Sequence, residues 1–237
     1  MPALEHPNIE ILQMAADKLG RLLEEVVFLG GCATSLLITD AAAPPPRVTL
    51  DVDVIVEVAS LPGYHRFSEK LRNLGFNEDD NPGAPICRWK HGPLLLDVMP
   101  TDPDILGFGN RWFKEAFKAA EPAVLPRGKR IYVLPAAYFL ATKFEAFDHR
   151  GACDYVLSRD MEDMVTVVDG REEIGEEVLA ACEDLRLYLA TRIKELIGVP
   201  NFLDALPGFL PPDGASQARV QIVEERFKKI ARAYGGN

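Results

Sequence analysis

Two carboxylates stand inside an apolar stretch of this sequence. The run VTLDVDVIVEV, residues 48–58, predicts a buried strand, and Asp51 and Asp53 lie within it. Side chains two residues apart on a strand point to the same face, so the two carboxylates converge. Because an unpaired buried carboxylate is costly and Mg²⁺ prefers oxygen ligands, the spacing predicts a divalent-cation site. The alternative is a pair of strand-end acids that face solvent.

A third carboxylate, Asp97, lies in the apolar run LLLDVMP, residues 94–100. This run follows ICRWK and the turn HGP, so the pattern predicts the second strand of a hairpin. If that strand pairs beside 48–58, three acids share one cleft. The alternative is that Asp97 is an acid of the turn that leads into the residues MPTD.

Two adjacent glycines, Gly30 and Gly31, form a separate motif. They follow the short apolar run VVFL, which predicts a buried strand, and they precede CATSLLI, which predicts the start of a helix. A glycine turn between strand and helix leaves backbone N–H groups free to bind phosphate, and no Cβ blocks the approach. By itself this motif is a weak indication of phosphate binding.

The elements around these motifs divide the chain into two parts. The first half mixes strands with helices, and after Pro135 only helical periodicity remains. Helices are predicted at 9–24, 62–74, 111–119, 136–149, 158–169, 172–197 and 217–234, and hairpins at 86–90 with 94–100 and at 123–125 with 131–134. The sequence therefore predicts an α+β domain over residues 1–134 and an all-α domain over 135–237, with a linker only at 206–216.

Composition limits the classes of function. The chain has 237 residues, of which 48% are hydrophobic, and its net charge is −10. No apolar run reaches the length of a membrane helix, and the N-terminus lacks the features of a signal peptide. The four scattered cysteines predict reduced thiols and a cytoplasmic protein. The acidic balance argues against a nucleic-acid coat protein but does not exclude an enzyme that acts on RNA.

Four motifs in order resemble the DNA polymerase β superfamily of nucleotidyltransferases, in particular the AbiEii/AbiGii toxin type. They are GGCATSL (30–36), RVTLDVDV (47–54), TKFEAF (142–147) and SRDMEDM (158–164). The resemblance spans roughly residues 26–169. It implies a polymerase-β-like nucleotidyltransferase domain with a mixed sheet, followed by the helical domain.

The resemblance also implies roles for individual residues. Asp51, Asp53 and Asp97 would bind Mg²⁺ or Mn²⁺, and Asp97 would act as the general base or assist it. Residues expected to contact the phosphates of an NTP substrate are Gly30, Gly31, Arg47 and Lys143.

Two further acids, Asp160 and Asp163, are three residues apart and so share a helix face. We expect Asp160 to pair with Lys143 or Arg150 and to brace the helix over the nucleotide. The alternative for Lys143 is a solvated lysine. The alternative for Asp160 and Asp163 is a place in the first turn of a helix, where the dipole favours acids.

The leading hypothesis is a Mg²⁺-dependent nucleotidyltransferase that moves NMP from an NTP to an acceptor hydroxyl. The resemblance implies an RNA or tRNA end as acceptor and an antitoxin protein as partner; a small-molecule acceptor is the close alternative. Cys32 stands where the family often has a hydroxyl after GG, and a thiol is a poorer donor to phosphate. A catalytically inactive, nucleotidyltransferase-like binding module therefore stays open, and a DxD glycosyltransferase fits the small size less well.

Overall fold

The structure is a computed structural model that describes residues 6–151 and 154–233. The chain forms two compact units. The first comprises the chain up to Leu36 together with Arg47–Pro135, and the second comprises Leu37–Pro46 together with the chain from Ala136 onward. The sequence predicted a single boundary at residue 134. It did not predict that the segment Leu37–Pro46, called the excursion below, belongs to the second unit.

The first unit is built on a seven-stranded sheet. Its strands are β1 (Val26–Leu29), β2 (Asp51–Val56), β3 (Asn77–Glu78), β4 (Arg88–His91), β5 (Leu94–Pro100), β6 (Glu121–Val124) and β7 (Arg130–Val133). Their order across the sheet is β3-β4-β5-β2-β1-β7-β6. β2 pairs with β5 in parallel and β1 with β7 in parallel, whereas the other neighbours are antiparallel. The expected α+β class with a mixed sheet is confirmed.

Four helices belong largely to this part of the chain: α1 (Pro7–Leu19), α2 (Gly30–Leu37), α3 (Leu61–Asn73) and α4 (Phe113–Lys118). The hydrophobic core joins apolar side chains of α1 and α3 to one face of the central strands. On β2 that face presents Val52, Val54 and Val56, and on β5 it presents Leu94, Leu96 and Val98. The alternation places the intervening residues of both strands on the other face.

Two predicted elements of this unit are shorter than expected. The helix predicted at 9–24 ends at Leu19, because Gly20 turns to a φ of +54°, and a 3₁₀ helix follows over Gly20–Glu24. The strand predicted at 48–58 begins at Asp51. Just before it, the backbone N–H of Thr49 donates to the side chain of Asn8, and Leu50 is 77% exposed.

The second unit is helical. Its helices are α5 (Ala136–Gly151), α6 (Arg159–Gly170), α7 (Ile174–Ala180), α8 (Glu183–Ile197), α9 (Pro200–Ala205), α10 (Gly214–Ala218) and α11 (Val220–Arg232). The helix predicted at 172–197 is two helices, since Ala181 is extended and Cys182 is the N-cap of α8. The segment predicted as a linker, 206–216, contains a 3₁₀ turn at Leu206–Phe209 and the start of α10.

The excursion Leu37–Pro46 is fixed to this helical unit by a buried charge cluster. The Arg219 guanidinium donates from Nε to both carboxylate oxygens of Asp169 at 2.8 and 3.0 Å, and from Nη2 to Asp40 at 2.5 Å. The backbone N–H groups of Thr39 and Asp40 donate to the carbonyl of Gly170. These contacts make the short segment part of the second unit although it is distant from it in sequence.

Within residues 6–151 and 154–233, every helix is too short or too polar to cross a membrane.

Candidate functional site

The three predicted acids lie on one face of the sheet, opposite the hydrophobic core. Asp51 and Asp53 alternate with the buried Val52 and Val54 along β2. In the parallel pairing of β2 with β5, Asp53 is directly opposite Asp97. Partners in register point to the same side of a sheet, so Asp97 faces the Asp51–Asp53 pair. The sheet thus brings together carboxylates that are more than 40 positions apart in sequence.

The glycine motif lies against one of these acids. Gly30 is the first residue of α2 and has a φ of +74°. A Cβ built on Gly30 would be 1.9 Å from Oδ2 of Asp53. The missing side chain therefore makes room for the Asp53 carboxylate. Because that carboxylate lies beside the N-terminus of α2, it is stabilised by the positive end of the helix dipole.

A cation already lies among the acids. Arg88 on β4 is directly opposite Asp97 in the antiparallel pairing of β4 with β5. Its Nε and Nη2 donate to the two carboxylate oxygens of Asp97, both at 2.7 Å. The same Nη2 donates to Oδ2 of Asp51 at 2.6 Å. Hydrogen bonding to Asp97 raises the pKa of Arg88 above its ordinary value, so the guanidinium stays charged.

The donor set suits a hard divalent cation in its chemistry. All three groups are carboxylates on one face, and one nitrogen of Arg88 touches oxygens of both Asp51 and Asp97. In the described part of the chain, however, no three His, Cys, Asp or Glu side chains are arranged so that they already surround a metal position. The carboxylates therefore suit Mg²⁺ or Mn²⁺ by their chemistry, and their side chains would have to rearrange to surround one ion.

The residue after the glycines points into the core. The Cys32 thiol is fully buried and donates to the carbonyl of Asn8 at 3.2 Å. Burial raises the pKa of this thiol to about 12. The hydroxyl of Thr34 donates to the carbonyl of Gly30, and the hydroxyl of Ser35 contacts the imidazole of His6. Cys32 is thus a packing residue, and its identity does not bear directly on phosphate contact.

One buried amide links the pieces of the site. Asn8, at the start of α1, is inaccessible to solvent. Its Nδ2 donates to the carbonyl of Arg47 at 3.0 Å and to that of Gly31 at 3.5 Å, and its Oδ1 accepts from the N–H of Thr49 at 3.0 Å. Asn8 therefore fixes the glycine turn relative to the segment that leads into β2. Arg47, four residues before Asp51, is half-buried, and its predicted contact with phosphate stays a prediction.

Lys143 is held inside the second unit. Its ammonium group donates to Asp163 at 2.5 Å and to Asp160 at 3.1 Å, and all three side chains are at most 10% exposed. Arg150 lies 3.7 Å from Asp160. The expected pairing of Asp160 with Lys143 is present and includes Asp163. The predicted contact of Lys143 with a nucleotide stays a prediction.

A separate cleft lies elsewhere in the first unit. It has a volume of about 710 Å³ and lies at the carboxyl ends of β2 and β5, where it is lined by residues such as Glu57, Thr101, Asp102, Arg111 and Lys114. None of the predicted site residues lines it. Its charges are mixed in sign, so its lining does not indicate one class of ligand. The face that carries Asp51, Asp53 and Asp97, called the acid face below, is the stronger candidate, because its three carboxylates point the same way and Gly30 lies against one of them.

Sequence reasoning missed Arg88 and Asn8. The hairpin prediction paired 86–90 with 94–100, and the two-residue turn of the observed hairpin sets Arg88 opposite Asp97. Counting outward from that turn would have found Arg88. No local signal marks Asn8, since its partners Gly31, Arg47 and Thr49 are far away in sequence.

Comparison with known proteins yields little. No family model matches the chain, and no curated protein matches it. Among solved structures, it is similar to an antigenic nucleotidyltransferase-like protein from Paracoccidioides brasiliensis, with 19% sequence identity and a TM-score of 0.47. That match covers 84% of this chain and 92% of the other.

Proposed function

We propose that this protein is a metal-dependent nucleotidyltransferase that transfers NMP from an NTP to an acceptor hydroxyl. The observation that supports this most is the common face of Asp51, Asp53 and Asp97, with the glycine start of α2 directly against Asp53. Acids that can hold a hard cation beside a helix N-terminus suit the binding of a triphosphate.

Each part of the face has a role in the proposed reaction. Asp51, Asp53 and Asp97 would hold Mg²⁺ or Mn²⁺, which neutralises charge on the triphosphate. The backbone N–H groups at Gly30 and Gly31 would bind phosphate oxygens, and Arg47 would supply a cation.

The reaction itself is an in-line displacement. The acceptor oxygen forms a bond to the α-phosphorus, the bond from that phosphorus to the bridging oxygen breaks, and pyrophosphate leaves. Asp97 would take the proton of the acceptor hydroxyl or assist the group that takes it. Because both Asp97 oxygens accept from Arg88 in the structure, this role requires Arg88 to release them.

Label transfer tests the proposal. The purified protein is incubated with each α-labelled NTP and Mg²⁺, first with total RNA and then with a panel of small-molecule alcohols. We expect transfer by the wild-type protein and a loss of at least about 100-fold in Asp51→Ala and Asp53→Ala, since each removes a group that acts on developing charge. Asp80→Ala, which removes a carboxylate that is 95% exposed, is the matched control. Transfer that survives in both site variants would contradict the proposal.

The acceptor and the partner are the finer parts of the proposal. Label on RNA would support a tRNA-end or other RNA acceptor, whereas label on a small alcohol would support the alternative, which the net charge of −10 mildly favours. A toxin role would require an antitoxin. Co-expression with the product of a small neighbouring reading frame should then relieve growth inhibition by this protein, and an absence of growth inhibition would remove the toxin role.

Arg88 favours a second candidate, a nucleotide-binding module without transferase activity. An arginine that donates to both oxygens of Asp97 competes with a metal ion for that carboxylate. This candidate predicts NTP binding that does not depend on Mg²⁺ and no label transfer to any acceptor. Calorimetric titration of an NTP with and without Mg²⁺, alongside the transfer assay, separates the two functions.

A further inference from the structure

We propose that Arg88 is an internal counter-ion that occupies the cation position of the acid face and leaves it when a divalent metal binds. This deepens the proposed function, because it rests on the same three acids as a metal site. It assigns to Arg88 a role in positioning Asp51 and Asp97 and in setting metal affinity.

The contacts of Arg88 are those of a group that substitutes for a metal ion. Nη2 lies 2.6 Å from Oδ2 of Asp51 and 2.7 Å from Oδ2 of Asp97, so one positive nitrogen bridges two carboxylates from different strands. The Arg88 side chain is 19% exposed and that of Asp97 is 10% exposed. Partial burial strengthens these ion pairs relative to pairs on an open surface.

The electrostatics of the face explain why a cation is needed there. Three carboxylates on neighbouring strands repel one another when all are charged. Arg88 relieves that repulsion in the absence of metal. Its place on β4, opposite Asp97, holds it there by the register of the sheet.

Arg88 competes with any metal ion that would bridge Asp51 and Asp97, because its Nη2 already lies between Oδ2 of the two residues. Mg²⁺ binds carboxylate oxygen at about 2.0–2.1 Å, which would bring it within repulsive range of a guanidinium on the same atoms. The bidentate contact also uses both oxygens of Asp97. Binding of a metal at that bridging position therefore requires Nη2 of Arg88 to leave it, and this lowers the apparent metal affinity of the wild-type protein.

Direct metal binding tests this. MnCl₂ is titrated into the full chain and free Mn²⁺ is measured by electron paramagnetic resonance, for wild type, Arg88→Met and Arg72→Met. Methionine keeps bulk without charge. Arg72, which pairs with Glu78 on an exposed part of the same unit, controls for the loss of one positive charge. We expect Arg88→Met to bind one Mn²⁺ about tenfold more tightly than wild type, which equals about 1.4 kcal/mol, and Arg72→Met to stay within about twofold.

The gain must depend on the acids. The double variant Arg88→Met/Asp97→Asn should lose the tighter binding, since it removes a ligand that Arg88 covers. A folded Arg88→Met protein, as judged by circular dichroism, that binds Mn²⁺ no more tightly than wild type would overturn the proposal. So would a tenfold gain that persists in the double variant.

Arg88→Met leaves Asp51 and Asp97 without this partner, so it can fail to fold in metal-free buffer. In that case the proposal expects MnCl₂ to restore the native circular dichroism, because the metal replaces the guanidinium. Failure of MnCl₂ to restore it would overturn the proposal.

The result is independent of transferase activity. Tighter Mn²⁺ binding by Arg88→Met in a protein that transfers no nucleotide would sustain the counter-ion role and reject the enzyme. Transfer by wild type without any gain in Arg88→Met would reject the counter-ion role alone.

Discussion

At the scale of single residues, the acid face depends on spacing and on one missing side chain. Asp51 and Asp53 share a face because strand side chains repeat every two residues. Glycine is needed at position 30 for two reasons. Its φ of +74° is disfavoured for other residues, and a Cβ there would clash with Asp53. The family resemblance assigned Gly30 to phosphate binding, and the structure adds a packing reason for it.

We therefore predict a larger cost for Gly30→Ala than for a glycine that has only the unusual φ. Gly20→Ala is the control, because Gly20 has a φ of +54° and no other group lies within 4 Å of the place that a Cβ would take. We expect Gly20→Ala to lower the free energy of unfolding by about 1–2 kcal/mol, and Gly30→Ala by about 3 kcal/mol or more, because the clash with Asp53 adds to the strain. Urea denaturation measures both. Equal costs would show that Asp53 does not constrain Gly30.

At the scale of elements, α1 takes part in building the site. Asn8 satisfies the backbone of three segments that no regular hydrogen-bond ladder joins: the start of α2, the residue Arg47 and the approach to β2. A buried amide that makes such bonds is a positioning residue, since without it those backbone groups have to find other partners.

We predict that Asn8→Ala destabilises the protein by about 1–3 kcal/mol, because the buried N–H of Thr49 loses its acceptor. Asn81→Ala, at an exposed asparagine of the same unit, should change stability by less than about 0.5 kcal/mol. Urea denaturation at neutral pH compares the two. An Asn8 variant as stable as the Asn81 variant would mean that these hydrogen bonds contribute nothing net.

The ion pairs between α5 and α6 are the second element-scale feature. Lys143 on α5 is the buried partner of Asp160 and Asp163 on α6. Removing one member of a buried cluster leaves the opposite charges in a medium that solvates them poorly.

We predict that Lys143→Met lowers the free energy of unfolding by about 3–5 kcal/mol. Lys118→Met is the control, because Lys118 pairs with Glu115 where both side chains are about half exposed, and such pairs contribute about 0–1 kcal/mol. Thermal and urea unfolding report the difference. Similar effects of the two substitutions would show that the cluster around Lys143 is solvated.

At the scale of the whole molecule, the chain leaves the first unit at Leu37 and returns to it at Arg47. Asp40 in this excursion is tied to Arg219, which lies 179 residues later. The hydrogen bond from Arg219 lowers the pKa of Asp40, whereas burial raises the pKa of Asp169 in the same cluster. The two acids therefore contribute to the pH dependence of stability with opposite signs.

The lowered pKa of Asp40 leads to a prediction about stability at acid pH. A carboxyl whose pKa is lowered on folding stabilises the protein at pH values above its ordinary pKa of 3.8. That contribution is lost as the pH falls through the lowered pKa. We expect Asp40→Asn to cost about 1–3 kcal/mol at pH 7 and to lose less stability than wild type between pH 5 and pH 3. Urea denaturation across that range tests it, with the exposed Asp204→Asn as control. Parallel pH curves for wild type and Asp40→Asn would contradict it.

The sequence by itself determined the features that depend on near neighbours. The common direction of Asp51 and Asp53, the strand that precedes Gly30 and the change to helices after Pro135 all follow from local periodicity, which the backbone geometry of strands and helices imposes. The break at Cys182 was missed because neither glycine nor proline marks it.

Only the tertiary structure decided which residues lie next to Asp51 and Asp53. The parallel register of β2 with β5 puts Asp97 opposite Asp53, the register of β4 puts Arg88 opposite Asp97, and α1 brings Asn8 to the approach to β2. These contacts join residues that are distant in sequence. They are set by which strands pair and in which register, and that choice is made by burial of the whole core rather than by any short segment.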